Sequence, residues 1–160
     1  MFLYAQSSMT PDIQFPMRVF YDASCPLCRE EMAIIQANSN GADFDLIDCS
    51  PVEFFDAQAA QQGITRADMM RLIYAQGADS KWLIGVDVFV AAYQRVGLSN
   101  VAAFWGNRYL SPVLRALYPT LAKYRQGLSK LGANKIYSYF VARAAKKAAK
   151  HRCTDDRCEL

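Results

Sequence analysis

The sequence predicts an α/β fold with a βαβαββα core and a helical C-terminal extension, and three observations lead to this prediction. Short runs rich in β-branched and aromatic residues alternate with stretches of helical spacing as far as residue 97. A helical stretch separates the first two of these runs, which predicts parallel strands joined by a right-handed crossover. Beyond residue 97 the spacing is helical throughout. With 160 residues, 52% of them hydrophobic, the chain can bury one sizeable core.

The first βαβ unit follows a segment that has no periodic pattern. Residues 1–16 contain two adjacent serines, a Thr-Pro pair and a further proline, which predicts a flexible N-terminal arm. A first strand is predicted over residues 17–21 and a second over residues 44–48. The helix between them begins at Pro26, whose missing N–H is not needed in a first turn. Its spacing places Glu31 on the solvent side.

A helix, a hairpin and a third helix complete the predicted core. Residues 52–62 have helical spacing after a Ser-Pro break. Strands are predicted over residues 69–75 and 81–84, because the five residues between them include glycine and form a hairpin signal. Residues 86–96 are apolar and long enough for a helix that packs back on the sheet. The core therefore ends near residue 97.

The second half of the chain carries a one-sided charge. Residues 1–87 hold twelve acidic and five basic side chains, whereas residues 88–152 hold twelve basic and no acidic side chains. Residues 98–160 are predicted to form a helical, basic extension packed on or beside the core. Its charge favours an anionic membrane surface or an acidic protein as a partner, and a solvated helical surface is the simpler alternative. The aromatic residues among these bases fit a core better than a nucleic-acid site, so nucleic acid is not favoured.

The sequence predicts a compartment because it has no recognisable secretory signal and no apolar stretch long enough to span a membrane. The first residues show neither a basic leader nor a long apolar run before a cleavage site, so we expect no secretory signal. Charged and polar residues interrupt the apolar region between residues 101 and 118, which therefore falls short of a membrane span. The sequence predicts a cytoplasmic protein that is at most peripheral to a membrane. In such a reducing compartment, close cysteine pairs are more often catalytic or metal-binding than structural.

The most informative motif is the pair Cys25 and Cys28, separated by two residues at the point where the first strand meets the first helix. A proline between the thiols and a place in the first βαβ unit are typical of a thioredoxin-like redox site. We therefore predict a thioredoxin-like domain over residues 17–97 and thiol-disulfide exchange with a protein or small-molecule thiol or disulfide as substrate. The reversible Cys25–Cys28 disulfide would serve in place of a cofactor, and no metal is predicted.

Each residue of this site has a predicted role. Cys25, at the helix N-terminus and nearer to solvent, is the attacking thiolate, because the helix dipole lowers the pKa of a thiol there. Cys28, one turn further in, is the resolving thiol. For Asp22 two roles stay open: a buried carboxylate that exchanges a proton with Cys28, or a polar group that caps the helix start through local backbone contacts.

The segment Tyr21-Asp22-x-x-Cys25-Pro26-Leu27-Cys28 resembles the opening motif of the DCC family. That family comprises predicted thiol-disulfide oxidoreductases of the thioredoxin-like superfamily, named for the Asp-Cys-Cys triplet. Further likeness lies in the Ile-Asp pair that ends the second strand and in residues 83–89, so the resemblance covers roughly residues 17–125. It implies a thioredoxin-like fold and a redox activity.

One departure from thioredoxins concerns substrate binding. Thioredoxins place a cis-proline before the third strand, where it helps to hold the substrate backbone, but residues 64–70 contain no proline. Thr65 or Asp68 would occupy that neighbourhood instead. The substrate is therefore less well predicted than the redox pair.

The remaining cysteines and the single histidine support alternatives. Cys153 and Cys158 could form a second dithiol, complete a zinc site with the first pair, or be incidental thiols of an exposed tail. Cys49 follows a strand and is predicted to be a small buried hydrophobe. His151 lies among bases at a helix end and is predicted to be solvated. The alternative to an enzyme is a non-catalytic thioredoxin-like adaptor or membrane-surface module that uses its basic helices.

Overall fold

The computed structural model describes residues 11–130, 132, 135–136, 139–144 and 146. Four strands and six bounded helices lie in this part of the chain. In chain order they are β1 (Met17–Tyr21), α1 (Pro26–Ala37), β2 (Phe44–Asp48), α2 (Ala57–Gln61), α3 (Arg66–Arg71), β3 (Tyr74–Gln76), β4 (Trp82–Ile84), α4 (Val86–Arg95), α5 (Ser99–Trp105) and α6 (Leu110–Lys130). Residues 139–144 are also helical. The predicted α/β class is confirmed.

The four strands form one mixed sheet in the order β2-β1-β3-β4. The strand β1 pairs in parallel with β2, from Met17 opposite Phe44 to Tyr21 opposite Asp48. It pairs antiparallel with β3, which continues into the hairpin with β4. Because β1 and β2 are parallel, their carboxyl ends meet at one edge of the sheet, and the loop that leads to Cys25 starts there.

Each face of the sheet has its own hydrophobic cluster. Val19 and Phe20 are adjacent in β1 and point to opposite faces, as side chains of a strand do. Val19 belongs to the larger cluster, which also contains buried side chains of α1 and α4. Phe20 belongs to the smaller cluster, where its ring stacks on Trp82 at 5.5 Å between centroids and meets the edge of Phe54 at 6.4 Å. The helices and loops on both faces thus hold β1, and the site at its end, in place.

The segment before β3 differs from the prediction. Residues 66–71 form the helix α3, so the predicted strand over residues 69–75 shortens to β3. The reason is a capping box: the Thr65 side chain accepts a hydrogen bond from the backbone N–H of Asp68, and the Asp68 carboxylate accepts one from the backbone N–H of Thr65. The predicted helix over residues 52–62 is likewise confined to α2, whose N-cap is Asp56.

Glu31 is buried rather than exposed. It is 8% exposed, and its Oε1 accepts a hydrogen bond from the Tyr93 hydroxyl at 3.1 Å. The prediction of a solvent-facing Glu31 was wrong because periodicity does not show where a polar partner on α4 will meet the helix. A buried carboxylate is retained when it has such a donor.

The helices after the core pack against α4. The ring of Phe89 stacks on Trp105 at 5.1 Å and meets the edge of Tyr118 at 5.8 Å. Gly85, which precedes α4, has a φ of +63°, and a Cβ there would lie 3.2 Å from the Tyr118 ring. Glycine therefore permits both the turn and the close approach of α6.

The described part of the N-terminal segment also contacts the core. Phe15 meets the edge of Phe44 at 5.6 Å, and Asp12 forms an ion pair with Lys81 at 2.8 Å. The first ten residues of the predicted flexible arm lie outside the described residues, as do His151, Cys153 and Cys158 with their predicted roles. Among the helices that are described, none combines the length and the apolar character that crossing a membrane requires.

Candidate functional site

The Cys25–Cys28 pair lies where β1 passes into α1. Cys25 is the N-cap residue with extended backbone angles, and Pro26 follows in the first turn. The Cys25 carbonyl accepts the first helical hydrogen bond from the Arg29 N–H at 3.0 Å. The N–H groups of the first turn therefore point toward the Cys25 end of the helix, where they favour a negative charge. This is the location that the sequence predicted for the pair.

Asp22 braces the turn before the helix. It is 2% exposed, and its Oδ1 accepts hydrogen bonds from the Ser24 N–H and the Ser24 hydroxyl. Its carbonyl accepts a further bond from the Cys25 N–H at 3.2 Å. Because Cys25 is the N-cap, the Asp22 side chain stabilises the turn rather than the helix end itself. Its proton-transfer role towards Cys28 stays a prediction.

Asp48 ties this turn to the neighbouring strand. Its Oδ1 accepts hydrogen bonds from the Ala23 N–H at 3.1 Å and the Ser50 N–H at 2.8 Å, and its Oδ2 accepts one from the Ser50 hydroxyl at 2.8 Å. Burial raises the pKa of Asp48, but these hydrogen bonds and the charge of Arg66 outweigh it, so the pKa lies below its ordinary value. The ionised carboxylate thus holds the turn that precedes Cys25.

The exposure of the two thiols reverses the predicted order. Cys25 is 0% exposed, whereas Cys28 is half-buried. The prediction that Cys25 lies nearer to solvent was therefore wrong. The burial of Cys25 depends on the tertiary packing at this edge of the sheet, where α6 contacts both α1 and α3. Helical spacing after residue 97 predicts such a helix but does not tell where it docks.

Tyr21 ends β1 and lies opposite Asp48, the last residue of β2. Burial raises the pKa of Tyr21, and the negative charge of Asp48 raises it further, while Arg29 acts in the opposite direction. The charge of Cys28 raises it as well. Sequence reasoning used Tyr21 and Asp48 only as parts of the resemblance; their positions at the paired ends of β1 and β2 are the signal that would have found them.

An open cleft of about 500 Å³ adjoins the site between α3 and α6. Asp22 lines one wall, Arg71 contributes from α3, and Pro119 and Lys123 contribute from α6. Thr65 and Asp68 cap the start of α3, as described above.

Cys49 is an inert neighbour of this site. It is 0% exposed, and burial, reinforced by the charge of Asp48, raises its pKa to about 12. It packs in the smaller hydrophobic cluster, as predicted for a small buried hydrophobe. Within the described residues, no three Cys, His, Asp or Glu side chains are grouped in a way that could hold a metal ion.

A family model described as DCC1-like thiol-disulfide oxidoreductase matches residues 19–131. The chain belongs to this family. The match includes both cysteines, the turn that precedes them and the helices as far as α6, so the resemblance of the opening motif is confirmed. Membership in the DCC1-like thiol-disulfide oxidoreductase family indicates a redox role.

A curated relative of this DCC1-like protein is an uncharacterized chloroplastic protein of Arabidopsis thaliana. The two are 27% identical over 110 residues, which is 68% of this chain and 50% of the relative. This chain thus spans half the length of that protein. No solved structure matches the chain significantly.

Proposed function

We propose that this DCC1-like protein is a thiol-disulfide oxidoreductase whose exchange centre is the Cys25–Cys28 pair. The position of the pair supports the proposal: Cys25 is the N-cap of α1, and Cys28 follows one turn later at the edge where β1 and β2 end. A protein or small-molecule disulfide is the proposed substrate, with no cofactor besides the pair. The proposed compartment is the cytoplasm, where thiols are kept reduced.

In the reductive direction, the Cys25 thiolate attacks one sulfur of the substrate disulfide. A mixed disulfide forms, and the other substrate sulfur leaves as a thiolate that takes up a proton. Cys28 then loses its proton and attacks the Cys25 sulfur, so that the second substrate sulfur leaves and is protonated. Two electrons have passed to the substrate, and the Cys25–Cys28 disulfide remains until an external thiol reduces it.

Attack by Cys25 needs an opening, because its sulfur is buried in the described arrangement. The helix α6 packs beside the site against α1 and α3, so an outward displacement of α6 is the movement that we propose. The first-turn N–H groups favour the thiolate of an N-cap cysteine, which supports Cys25 over Cys28 as the attacking residue.

We propose Asp22 as the acceptor for the Cys28 proton. The variant Asp22→Asn keeps an Oδ1 acceptor for Ser24 but has no carboxylate to bind a proton. We expect it to slow the resolving step at neutral pH while unfolding at nearly the wild-type urea concentration. Equal rates for Asp22→Asn and wild type, together with a loss of stability in Asp22→Ala, would leave only the bracing role.

A redox titration followed by alkylation tests the proposed function. We expect a two-electron midpoint within the range of known exchange catalysts, about −120 to −270 mV. Cys28→Ser should accumulate a mixed disulfide with a disulfide substrate, Cys25→Ser should not, and Cys49→Ala should react like wild type. Trapping by Cys25→Ser alone would assign the attack to Cys28. A pair that never oxidises, or reductase activity unchanged in both serine variants, would refute the proposal.

A further inference from the structure

The helix α6 has a stripe of exposed apolar side chains. Its members follow one another at spacings of three and four residues, so they share one face of the helix. Each is between 43% and 59% exposed. We call the set the α6 stripe; it consists of Leu110, Val113, Leu117, Leu121 and Tyr124.

The core side of α6 is a different face. Ser111 and Ala122 are 1% and 7% exposed, and Tyr118 packs on Phe89. The packing of the fold is thus satisfied without the α6 stripe. Five further apolar side chains near the two ends of α6 are also exposed, with exposed fractions from 53% to 83%. They are Phe104, Tyr109, Ile136, Tyr139 and Phe140. So large a set of exposed apolar side chains marks an interaction surface.

The charged residues of the chain segment that carries the α6 stripe are all basic. Residues 88–152 contain twelve bases and no acid. Arg115 pairs with Asp87; Arg108 and Lys123 are exposed next to the stripe, and Arg143 and Lys146 are exposed beyond it. A second copy of this chain would bring two such basic segments together and would be repelled.

We propose that the α6 stripe docks on an anionic lipid bilayer and lies in its interface. Apolar side chains with tyrosines at the boundary insert among the headgroups, while lysines and arginines stay at the level of the lipid phosphates. The stripe runs through residues 110–124 of this 21-residue helix. The docking is a property of α6 and does not depend on the redox chemistry of Cys25 and Cys28.

Co-sedimentation of the full chain with vesicles tests this inference, with a reducing agent present throughout. Vesicles of phosphatidylcholine alone are compared with vesicles in which part of the lipid is phosphatidylglycerol, at low and high salt. We expect binding to the anionic vesicles only, weakened by salt. The double variant Leu117→Ser/Leu121→Ser should bind the anionic vesicles at least about tenfold more weakly than wild type, because its exposed apolar surface is smaller.

The matched control is Val52→Ser/Phe55→Ser, which changes two apolar side chains that are 85% and 75% exposed in the acidic half of the chain. It should bind like wild type, and circular dichroism should show that both double variants are folded. Equal binding to neutral and anionic vesicles, or equal binding by both double variants, would overturn the inference. So would a dimer in light scattering that the Leu117→Ser/Leu121→Ser variant abolishes, because the stripe would then be an interface between two copies.

Discussion

Replacing Asp48 by alanine should loosen the turn that carries the redox pair. The carboxylate accepts three hydrogen bonds, two of them from the backbone N–H groups of Ala23 and Ser50. In Asp48→Ala these two N–H groups lose their acceptor. Asp48→Asn is the conservative comparison, because its amide oxygen can still accept from both of them.

The size of the effect follows from these contacts. A buried donor left without a partner costs roughly 1–3 kcal/mol. Asp48 is only half-buried, so water replaces part of the lost bonding, and we expect about 2 kcal/mol in total for Asp48→Ala. In a chain of 160 residues this corresponds to a lowering of the Tm by about 4–8 °C.

Urea unfolding at pH 7 measures the loss, and hydrogen exchange measures the protection of the Ala23 amide. The control is Asp45→Ala, which removes an exposed carboxylate from the same strand and should change stability by about 0.5 kcal/mol at most. If Asp48→Ala is as stable as this control, or if the Ala23 amide keeps its protection, the proposed link between Asp48 and the turn is wrong.

The pH dependence has a defined sign. The pKa of Asp48 is lower in the folded chain than its ordinary value, so its ionised form stabilises the fold. This contribution is complete above the unfolded-state pKa of about 3.9 and is lost as the pH falls through the lower folded-state pKa. The stability difference between wild type and Asp48→Asn should therefore be present at pH 7 and shrink below about pH 4.

Three further variants or reagents test other parts of the structure. Alkylation of Cys49 should be about a thousandfold slower in the folded chain than in the unfolded chain, because its pKa rises from 9.0 to about 12 on folding. Mass spectrometry after iodoacetamide treatment measures this rate. If Cys49 reacted as fast as Cys28, the described burial of Cys49 would be wrong. Thr65→Ala removes half of the α3 capping box and should cost about 1 kcal/mol in urea unfolding, and rescue by Thr65→Ser is the check. Gly85→Ala places a Cβ at a φ of +63° and 3.2 Å from the α6 ring that it faces, so we expect a loss of about 1–2 kcal/mol; wild-type stability would contradict the described approach of α6.

The local sequence pattern was sufficient to predict those elements that are stabilised mainly by interactions within a short stretch of chain. The parallel pairing of β1 and β2, the start of α1 at Pro26 and the place of the cysteine pair between them were all predicted correctly. Each of these features depends on a short stretch of sequence: on the spacing of its apolar residues, on its turn residues, or on the rule that parallel strands are joined by a crossover. The prediction failed at α3, where a capping box outweighed the strand pattern of residues 69–75.

The exposure of the site could not be predicted in this way. Whether Cys25 meets solvent depends on which elements of the fold pack around it, and the buried Glu31 carboxylate meets Tyr93 from another helix. Both outcomes depend on contacts between residues far apart in the chain.

The sequence by itself determined the α/β class, the cysteine pair at a helix start, the family motif and the basic second half, because each of these is carried by residue type and short-range spacing. Only the tertiary structure decided that Cys25 is the buried thiol, that Asp48 holds the preceding turn, and that one apolar face of α6 is left exposed. Burial is a sum over neighbours brought together by the fold, and no local pattern contains that sum.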